Sequence, residues 1–272
     1  MTATGKVHGA TLREWERFTP AERLARYSVY FALIVVVVVS AQAIEIIPEF
    51  LYDAPEQMVD MLQRMWPIAW GFYPEGVHEA LIETLDIAAL STVFGLLMGI
   101  PVGFLAARNA VPVPILNYLA RFILVSTRSI STLLWALFFV AVFGPGALAG
   151  TCAIAFHSIG FIGKLFSEAV EDANKGSIEA LTAAGATPMS LIYYGYWPQV
   201  KPTFWAIALF RWDINVRESA VLGLVGAGGI GMALDTAINL FQWNRVATIL
   251  VTVFVVVVIA EIVVTQIRKR II

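Results

Sequence analysis

Arg128 stands inside a long apolar stretch, where an ionisable side chain is costly and usually faces a cavity or a partner. Counted from Pro114, it would lie roughly 21 Å along a helix, near the middle of a membrane. Its neighbours carry hydroxyls: Ser126, Thr127, Ser129, Ser131 and Thr132. A guanidinium among hydroxyls is suited to a tetrahedral oxyanion, which it can hold through forked, charge-assisted hydrogen bonds. The alternative is an arginine that snorkels or pairs structurally.

A second polar group occurs in the apolar stretch that contains RWDINVRES: Arg211, Asp213, Asn215, Arg217 and Glu218. On a helix, Arg211, Asn215 and Glu218 share one face. Asp213 and Arg217 are four residues apart on another face, where they can pair. One set would line a pathway and the other would hold helices together. We favour Asp213 with Arg217 as the structural pair, and the sequence leaves open which arginine faces a cavity.

His157, followed by Ser158, is a third polar position in an apolar stretch. A lone histidine there is more often packed and hydrogen-bonded than functional. No catalytic pattern accompanies it, because the sequence has no HExxH or GxSxG motif and His8, His78 and His157 are far apart. We therefore expect that the chain is not an enzyme and that it binds no metal or cofactor of its own.

The composition is typical of a membrane protein. Of 272 residues, 59% are hydrophobic and 14% are charged, whereas charged residues make up about a quarter of a soluble domain. A net charge of -2 offers no basic face for nucleic acid. The single cysteine, Cys152, excludes an internal disulfide and a cysteine-based metal site.

Six apolar stretches are long enough for transmembrane helices, each of which needs about 20 residues. They cover residues 27–47, 78–107, 114–143, 147–169, 199–224 and 244–267. We predict an all-α, polytopic membrane protein, with an N-terminal segment 1–26 and a transmembrane domain 27–272. Within the first segment, the helical spacing of Leu12, Trp15 and Phe18 indicates a short helix lying in the membrane interface.

Lysine and arginine collect on one side of this six-span arrangement, which places that side in the cytosol. They occur before the first span, between the second and third, between the fourth and fifth, and in the tail Arg268-Lys269-Arg270. Residues 48–79, on the opposite side, are acidic and contain Arg64 alone as a basic residue. Both termini and the loop 177–198 are therefore expected in the cytosol.

The loop 177–198 predicts two short helices between long apolar spans. Gly176-Ser177 offers a helix start, good helix formers follow, and Gly185 is a plausible C-terminal residue. Thr187-Pro188 offers a second start. Small side chains on such a projection would let another protein approach closely, so we interpret the loop as a docking surface. The alternative is a pair of loop helices that merely lie in the membrane interface.

The register of this loop is specific. Glu179-Ala180 is followed by Gly185 six residues after the glutamate and by Pro198 thirteen residues after the glycine. It resembles the "EAA" loop of ABC-importer permeases, which implies a coupling helix seated on a cytosolic ATPase. The chain departs from the usual motif at Leu181 (usually alanine), Gly195 (usually isoleucine) and Trp197 (usually leucine).

The glycines that follow the fifth span lie in VGAGGIG: Gly226, Gly228, Gly229 and Gly231. They fit G-x-G-x-x-G, but no strand or downstream acidic residue of a dinucleotide fold surrounds them. Residues 144–151, GPGALAGT, have the length of a phosphate-binding loop and lack its lysine. We therefore expect no ATP site in this chain. VGAGGIG is either a hinge or gate or densely packed backbone, and the two are equally weighted.

Residues 78–268 resemble the permease subunit of phosphonate ABC importers. The stretches that carry the resemblance are TRSISTLLWALFFV, AFHSIGFIGKLFSEAVEDA, EALTAAGATPMSLIYYGYWPQVKPTF and NVRESAVLGLVGAGGIG. VGAGGIG is shared more widely among type I importers, including those for methionine. The combination, above all Asn215-Val216-Arg217 running into the glycines, is what points to phosphonates. Related permeases carry phosphate, phosphite or hypophosphite, and one sequence does not separate these.

The resemblance implies a type I ABC importer permease in the lipid of the bacterial plasma membrane. It implies two permease copies, two ATPase subunits that bind ATP and Mg, and an extracytoplasmic solute-binding protein. We favour a homodimer of this chain, and the sequence leaves open whether the second copy is identical. Closure of the ATPases would push on the helices between Glu179 and Gly185 and open the cavity outward. Arg128 and Arg217 would attract the anion. The remaining candidates for the pathway are Ser129, Ser131, His157, Arg211 and Asn215.

Two other functions stay open at this point. One keeps the ABC permease but makes the cargo methionine or another small zwitterion, for which one acidic and one basic pathway residue would suffice. The other is a transporter or structural membrane protein that needs no ATPase. The lack of an inverted repeat with broken helices in both halves argues mildly against a secondary transporter.

Overall fold

A computed structural model of the chain describes residue 18, residues 20–44 and residues 48–271. The chain divides into two compact units, one that ends at Asp60 and one that begins at Met61. Among the described residues the regular structure is helical, with no β-strand. Leu12 and Trp15 of the expected interfacial helix lie outside the described residues.

The first unit contains α1 (Pro20–Ala43) and most of α2 (Pro48–Arg64). Proline is favoured in the first turn of a helix, and Glu22 in that turn complements the helix dipole. The described side chains of α1 are exposed along its length. An apolar helix with this exposure is suited to contact with lipid.

The second unit holds the remaining helices. They are α3 (His78–Ala106), α4 (Pro114–Ser129), α5 (Thr132–Phe143), α6 (Ala147–Glu171), α7 (Lys175–Ala183), α8 (Pro188–Ser190), α9 (Trp197–Leu222), α10 (Ile230–Asn239) and α11 (Trp243–Ile271). A wide turn, Leu191–Tyr196, joins α8 to α9.

The core of the second unit is built around α6, which packs against α3, α4, α5 and α9. Close packing with α3 depends on small residues at four-residue spacing: Gly95, Gly99 and Gly103. A Cβ added at Gly103 would lie 2.6 Å from the carbonyl oxygen of Gly163 on α6. The two backbones therefore touch, in the way that small residues permit between membrane helices.

The predicted all-α, six-span fold is confirmed, with one correction. Among the described residues, five helical stretches are long and apolar enough to cross a membrane, and there are six when α4 and α5 are counted together as one bent span. The third span, 114–143, was expected to be continuous, but α4 and α5 are bent by 89° at residues 130–131. Arg128 therefore lies in the last turn of α4, beside a break. Hydroxyl side chains around the break can compete for backbone hydrogen bonds, which disfavours a continuous helix.

Candidate functional site

Arg211, on α9, is 1% exposed and forms the centre of a polar network. Its Nε donates to Ser158 Oγ at 2.8 Å, and its Nη2 lies 3.2 Å from His157 Nδ1, both on α6. The same Nη2 forms an ion pair with Glu218 Oε2 at 3.1 Å. Because a buried charge without a partner is strongly destabilising, Glu218 stabilises Arg211 and balances its charge.

Asn215, one turn along α9, is fully buried and faces α3. Its Nδ2 donates to Thr92 Oγ1 at 2.8 Å. Arg211, Asn215 and Glu218 lie on the continuous helix α9, whose geometry gives them the common face that was predicted, and Arg211 contacts Glu218 directly. The contacts of Arg211 with α6 and of Asn215 with α3 hold α9 in the bundle, and contact of Arg211, Asn215 or His157 with a solute stays a prediction.

The pairing predicted for Asp213 and Arg217 is also present. Arg217 Nη2 donates to Asp213 Oδ2 across one turn of α9. The aspartate side chain is buried, whereas that of Arg217 is 47% exposed. Arg217 thus has part of its charge balanced within its own helix and keeps access to its surroundings.

Arg128 differs from the other two arginines. Its side chain is exposed, and no hydrogen bond or ion pair involves it among the described residues. The end of α4 crosses α6 here, because a Cβ added at Gly160 would lie 3.0 Å from the Cβ of Arg128. Arg128 is therefore a cation that no described side chain balances, held on the helix bundle next to the break.

Hydroxyls and the start of a helix lie next to Arg128 in the chain. The sequence predicted the hydroxyls and did not predict the helix start. Ser129 is exposed and its hydroxyl donates to its own helix, at the carbonyl of Val125 (2.6 Å). Ser131, also exposed, is the N-cap of α5, and its hydroxyl makes no capping bond. The first N–H groups of a helix lack intrahelical acceptors and carry partial positive charge. Together, these groups can receive an anion.

Side chains fix the geometry of the break from both sides. Trp135 Nε1, on α5, donates to the carbonyl oxygen of Thr127 on α4 at 3.2 Å. Thr132, the first residue of α5, donates its hydroxyl to Glu218 Oε2 at 3.2 Å. The break is therefore a defined structure, tied to α9 through one carboxylate.

The predicted helices of the loop 177–198 are present, and the first begins earlier than expected. α7 starts at Lys175 with Asn174 as N-cap, whose Oδ1 accepts from the N–H of Gly176 at 2.9 Å. Gly176-Ser177 was expected to provide this start. Asparagine is a better N-cap than glycine because its side chain satisfies an otherwise free N–H.

Gly185 was expected to be the C-terminal residue of the first loop helix, but α7 ends at Ala183 with Ala184 as C-cap, and Gly185 is the next residue. It has φ +80°, and the N–H groups of Gly185 and Ala186 donate to the carbonyls of Thr182 and Leu181 at 3.0 and 3.1 Å. These two bonds form a Schellman motif, in which glycine takes the left-handed position at little cost. Thr187 then caps α8 by accepting from the N–H of Ser190.

The residues expected to meet an ATPase are on the surface. Glu179, Ala180, Gly185 and Pro198 are all exposed. The opposite side of the loop packs inward, where Ile178 contacts a core cluster that includes Phe166 and Tyr196. An exposed face on a packed support is the arrangement that a docking surface requires, and binding to an ATPase stays a prediction.

Two departures from the EAA motif meet in space. A Cβ added at Gly195 would lie 3.3 Å from Leu181 Cδ1 and 3.7 Å from Ile178 Cγ1. The larger residue at position 181 thus occupies space that the smaller residue at position 195 leaves free. The two exceptions compensate each other, and the loop keeps its packing.

This compensation predicts a strong coupling between the two positions. We expect Gly195→Ile alone to overpack the loop and Leu181→Ala alone to leave a cavity, each lowering the thermal stability of the purified protein. The double variant Leu181→Ala/Gly195→Ile should recover most of the loss. A double-mutant cycle from thermal unfolding measures the coupling, for which contacting residues give about 0.5–3 kcal/mol. Strict additivity would contradict the compensation.

The glycine segment is densely packed, as one of its two interpretations held. Gly226, Gly228 and Gly229 have positive φ angles. A Cβ at Gly228 would lie 2.7 Å from the backbone nitrogen of Ala147, and one at Gly231 would lie 2.4 Å from the carbonyl oxygen of Ala220. The N–H of Ile230 donates to Thr84 Oγ1 at 2.7 Å. The segment thus locks α9, α3 and α6 together, and a role as hinge or gate stays a prediction.

Sequence reasoning missed the polar contacts that anchor the loop to the rest of the unit. Tyr196 Oη donates to the carbonyl of Asn109 (2.9 Å), and Asn109 Nδ2 donates to the carbonyl of Val170 (2.7 Å). Arg121 and Glu171 form an ion pair at 2.6 Å between Nη2 and Oε1. These residues are distant in sequence, so no spacing pattern could have joined them.

Known proteins resemble this chain in sequence and in fold. It is 40% identical over 181 residues to the phosphite transport system permease protein PtxC of Stutzerimonas stutzeri, covering 66% of each chain. It is 38% identical over 232 residues to the phosphate-import permease protein PhnE of Mycolicibacterium smegmatis, covering 85% of this chain and 43% of that protein. The chain thus spans about two thirds of the length of PtxC and less than half of the length of PhnE.

A solved structure of the MetNI methionine ABC transporter, in an inward-facing conformation, superposes with a TM-score of 0.62 and 26% identity. The matched region covers 72% of this chain and 96% of the chain in that structure. The family model described as "Binding-protein-dependent transport system inner membrane component" matches residues 99–272, well over half of the chain. This match includes the break, the polar network and the loop 177–198. The chain therefore belongs to the family of binding-protein-dependent transport system inner membrane components.

Proposed function

We propose that this chain is the transmembrane subunit of an ATP-driven importer and forms the pathway for a phosphonate or a related phosphorus oxyanion. The observation that carries the proposal is Arg128, an exposed arginine at the break of a membrane span that forms no ion pair with any residue the structure describes. Relatives named for phosphite and phosphate transport support the same chemistry. Arg217 adds positive charge, in part balanced by Asp213.

The pathway lies between two copies of the chain. Polar side chains at membrane depth face a cavity or a protein partner because contact with lipid is costly. Arg128, Ser129 and Ser131 are exposed on a single chain, so a second copy that covers the same face would enclose them. A symmetric dimer presents the same surface twice, which would double the positive charge around the solute.

The loop 177–198 is the contact with a cytosolic ATPase. In this proposal two ATPase subunits bind ATP and Mg, one under each permease copy, and an extracytoplasmic solute-binding protein delivers the anion. Both termini lie in the cytosol of a bacterium, as the distribution of Lys and Arg favours. The permease contributes no catalytic group to ATP hydrolysis.

Transport would proceed by alternating access. Closure of the ATPases moves the exposed face around Glu179 and Gly185, and the packed side of the loop passes this motion to α9, which starts directly after it at Trp197. The bundles rock, and the cavity opens outward to take the anion. Arg128 attracts the oxyanion with few direct contacts, so it is released when the cavity opens inward.

A methionine importer is the second candidate, supported by the methionine transporter of similar fold. A zwitterion requires an acidic and a basic group that are both available. The two carboxylates near the network, Asp213 and Glu218, are engaged with Arg217 and Arg211. Arg128, which stays available, therefore suits an anion better than a zwitterion. A transporter that needs no ATPase is the least favoured alternative.

The proposal is tested by reconstituting the chain with its candidate ATPase and binding protein in lipid vesicles. We expect ATP hydrolysis and uptake to be stimulated by a phosphonate, phosphite or phosphate and not by methionine. Stimulation by methionine alone would keep the permease and replace the substrate. Absence of any association with an ATPase would contradict the function assigned to residues 177–198.

A further inference from the structure

Glu218 occupies a position that the proposed pathway does not by itself explain. Its Oε2 accepts from Arg211 Nη2 at 3.1 Å and from Thr132 Oγ1 at 3.2 Å. A single oxygen therefore joins the buried arginine of α9 to the first residue of α5. Its side chain is 25% exposed, so the carboxylate sits at the edge of the buried network.

The contact between Glu218 and Thr132 is close to Arg128 in the chain. Thr132 begins α5 directly after the break, and Arg128 is in the last turn of α4 just before it. A bend of 89° leaves few intrahelical hydrogen bonds to define the geometry. The side-chain contacts of Thr132 and Trp135 must therefore hold the two helix ends in place.

Arg211 keeps the carboxylate in the orientation that Thr132 needs. Its guanidinium is fixed by Ser158 and lies close to His157 on α6. Hydrogen bonds from two directions on one oxygen leave Glu218 little rotational freedom. The network thus connects α6, α9 and the amino end of α5 through side chains that no solute has to touch.

We propose that Glu218 is a positioning residue for transport, which holds the amino end of α5 through Thr132 so that Arg128 and the break keep the geometry that receives the oxyanion. The inference rests on the proposed function of Arg128. It assigns Arg211 and Glu218 to the support of the site and leaves solute contact to the exposed groups at the break.

Thr132→Val tests this inference because valine has nearly the same shape and lacks the hydroxyl. With phosphite as the transported probe in reconstituted vesicles, we expect the half-saturation concentration for uptake to rise about tenfold, as for loss of a hydrogen bond to a charged group. The maximal rate should change less. Thr132→Ser restores the hydroxyl and should restore the half-saturation value.

A matched control and a second variant keep the test decisive. Thr252→Val removes a buried hydroxyl that donates within α11 to the carbonyl of Thr248, its one hydrogen bond among the described residues, and should leave uptake unchanged. Glu218→Asp keeps the charge but shortens the reach by one methylene, so it should raise the half-saturation concentration like Thr132→Val. Normal uptake kinetics in both Thr132→Val and Glu218→Asp would overturn the inference. If Arg128→Ala also transports normally, the proposed function of the break fails with it.

Discussion

Replacement of Arg128 by alanine is expected to lower phosphorus-oxyanion uptake by roughly 10- to 100-fold, the effect of losing charge-assisted hydrogen bonds of about 1.5–3 kcal/mol. The Arg128 side chain makes no ion pair or hydrogen bond with the residues that the structure describes. Its removal therefore leaves no described carboxylate without its counter-charge. The protein should fold normally. Uptake of phosphite into reconstituted vesicles measures the effect, and thermal unfolding checks the fold.

Arg108→Ala is the matched control. Arg108 is exposed after the end of α3, and it contacts Glu171 through its backbone N–H (2.9 Å), which alanine retains. We expect uptake close to that of the unmodified chain. Arg128→Lys should recover part of the lost uptake, because lysine keeps the charge but lacks the guanidinium fork. Undiminished uptake in Arg128→Ala would remove the central observation behind the proposed substrate.

Much of the fold could be predicted because membrane spans are defined by local sequence. Apolar stretches of sufficient length predict helices, and the lysine and arginine pattern indicates their order across the bilayer. The break in the third span escaped this reasoning because both helices around Ile130 are apolar and neither glycine nor proline separates them. The run of hydroxyls at residues 126–132 was a signal, and it was assigned to anion binding alone.

The candidate site was predictable to the extent that it depends on helical spacing. The pair of Asp213 and Arg217 and the common face of Arg211, Asn215 and Glu218 follow from 3.6 residues per turn. Spacing could not show that Glu218 reaches Thr132, which is 86 residues away in sequence. It also could not distinguish a balanced arginine from an available one, since the partner of Arg211 depends on how α6 and α9 pack.

The compensation between Leu181 and Gly195 illustrates the same limit. Each residue is an exception to the EAA motif when the sequence is considered one position at a time. In three dimensions the two side-chain positions are adjacent, with 3.3 Å between Leu181 Cδ1 and a Cβ built at Gly195. The packed support of the loop therefore retains its volume, although neither residue follows the motif.

Gly185→Val is expected to remove most of the coupling between the ATPase and the permease. The left-handed conformation at φ +80° costs a residue with a side chain about 1–2 kcal/mol, and more for a β-branched one. No atom lies within 4 Å of a Cβ added there, so the effect is on backbone conformation and not on packing. The two hydrogen bonds that end α7 would be lost, and its exposed face would turn relative to α8.

The expected result is a folded permease that binds its ATPase weakly and loses most solute-stimulated ATP hydrolysis and uptake. Gly185→Asn should retain activity, because asparagine tolerates the left-handed region better than other residues with side chains. Ala184→Val is the matched control, since it introduces the same side chain one residue earlier, where φ is -75°. If Gly185→Val couples as well as Ala184→Val, the Schellman turn is not needed for coupling, and the docking surface must depend on other residues of the loop.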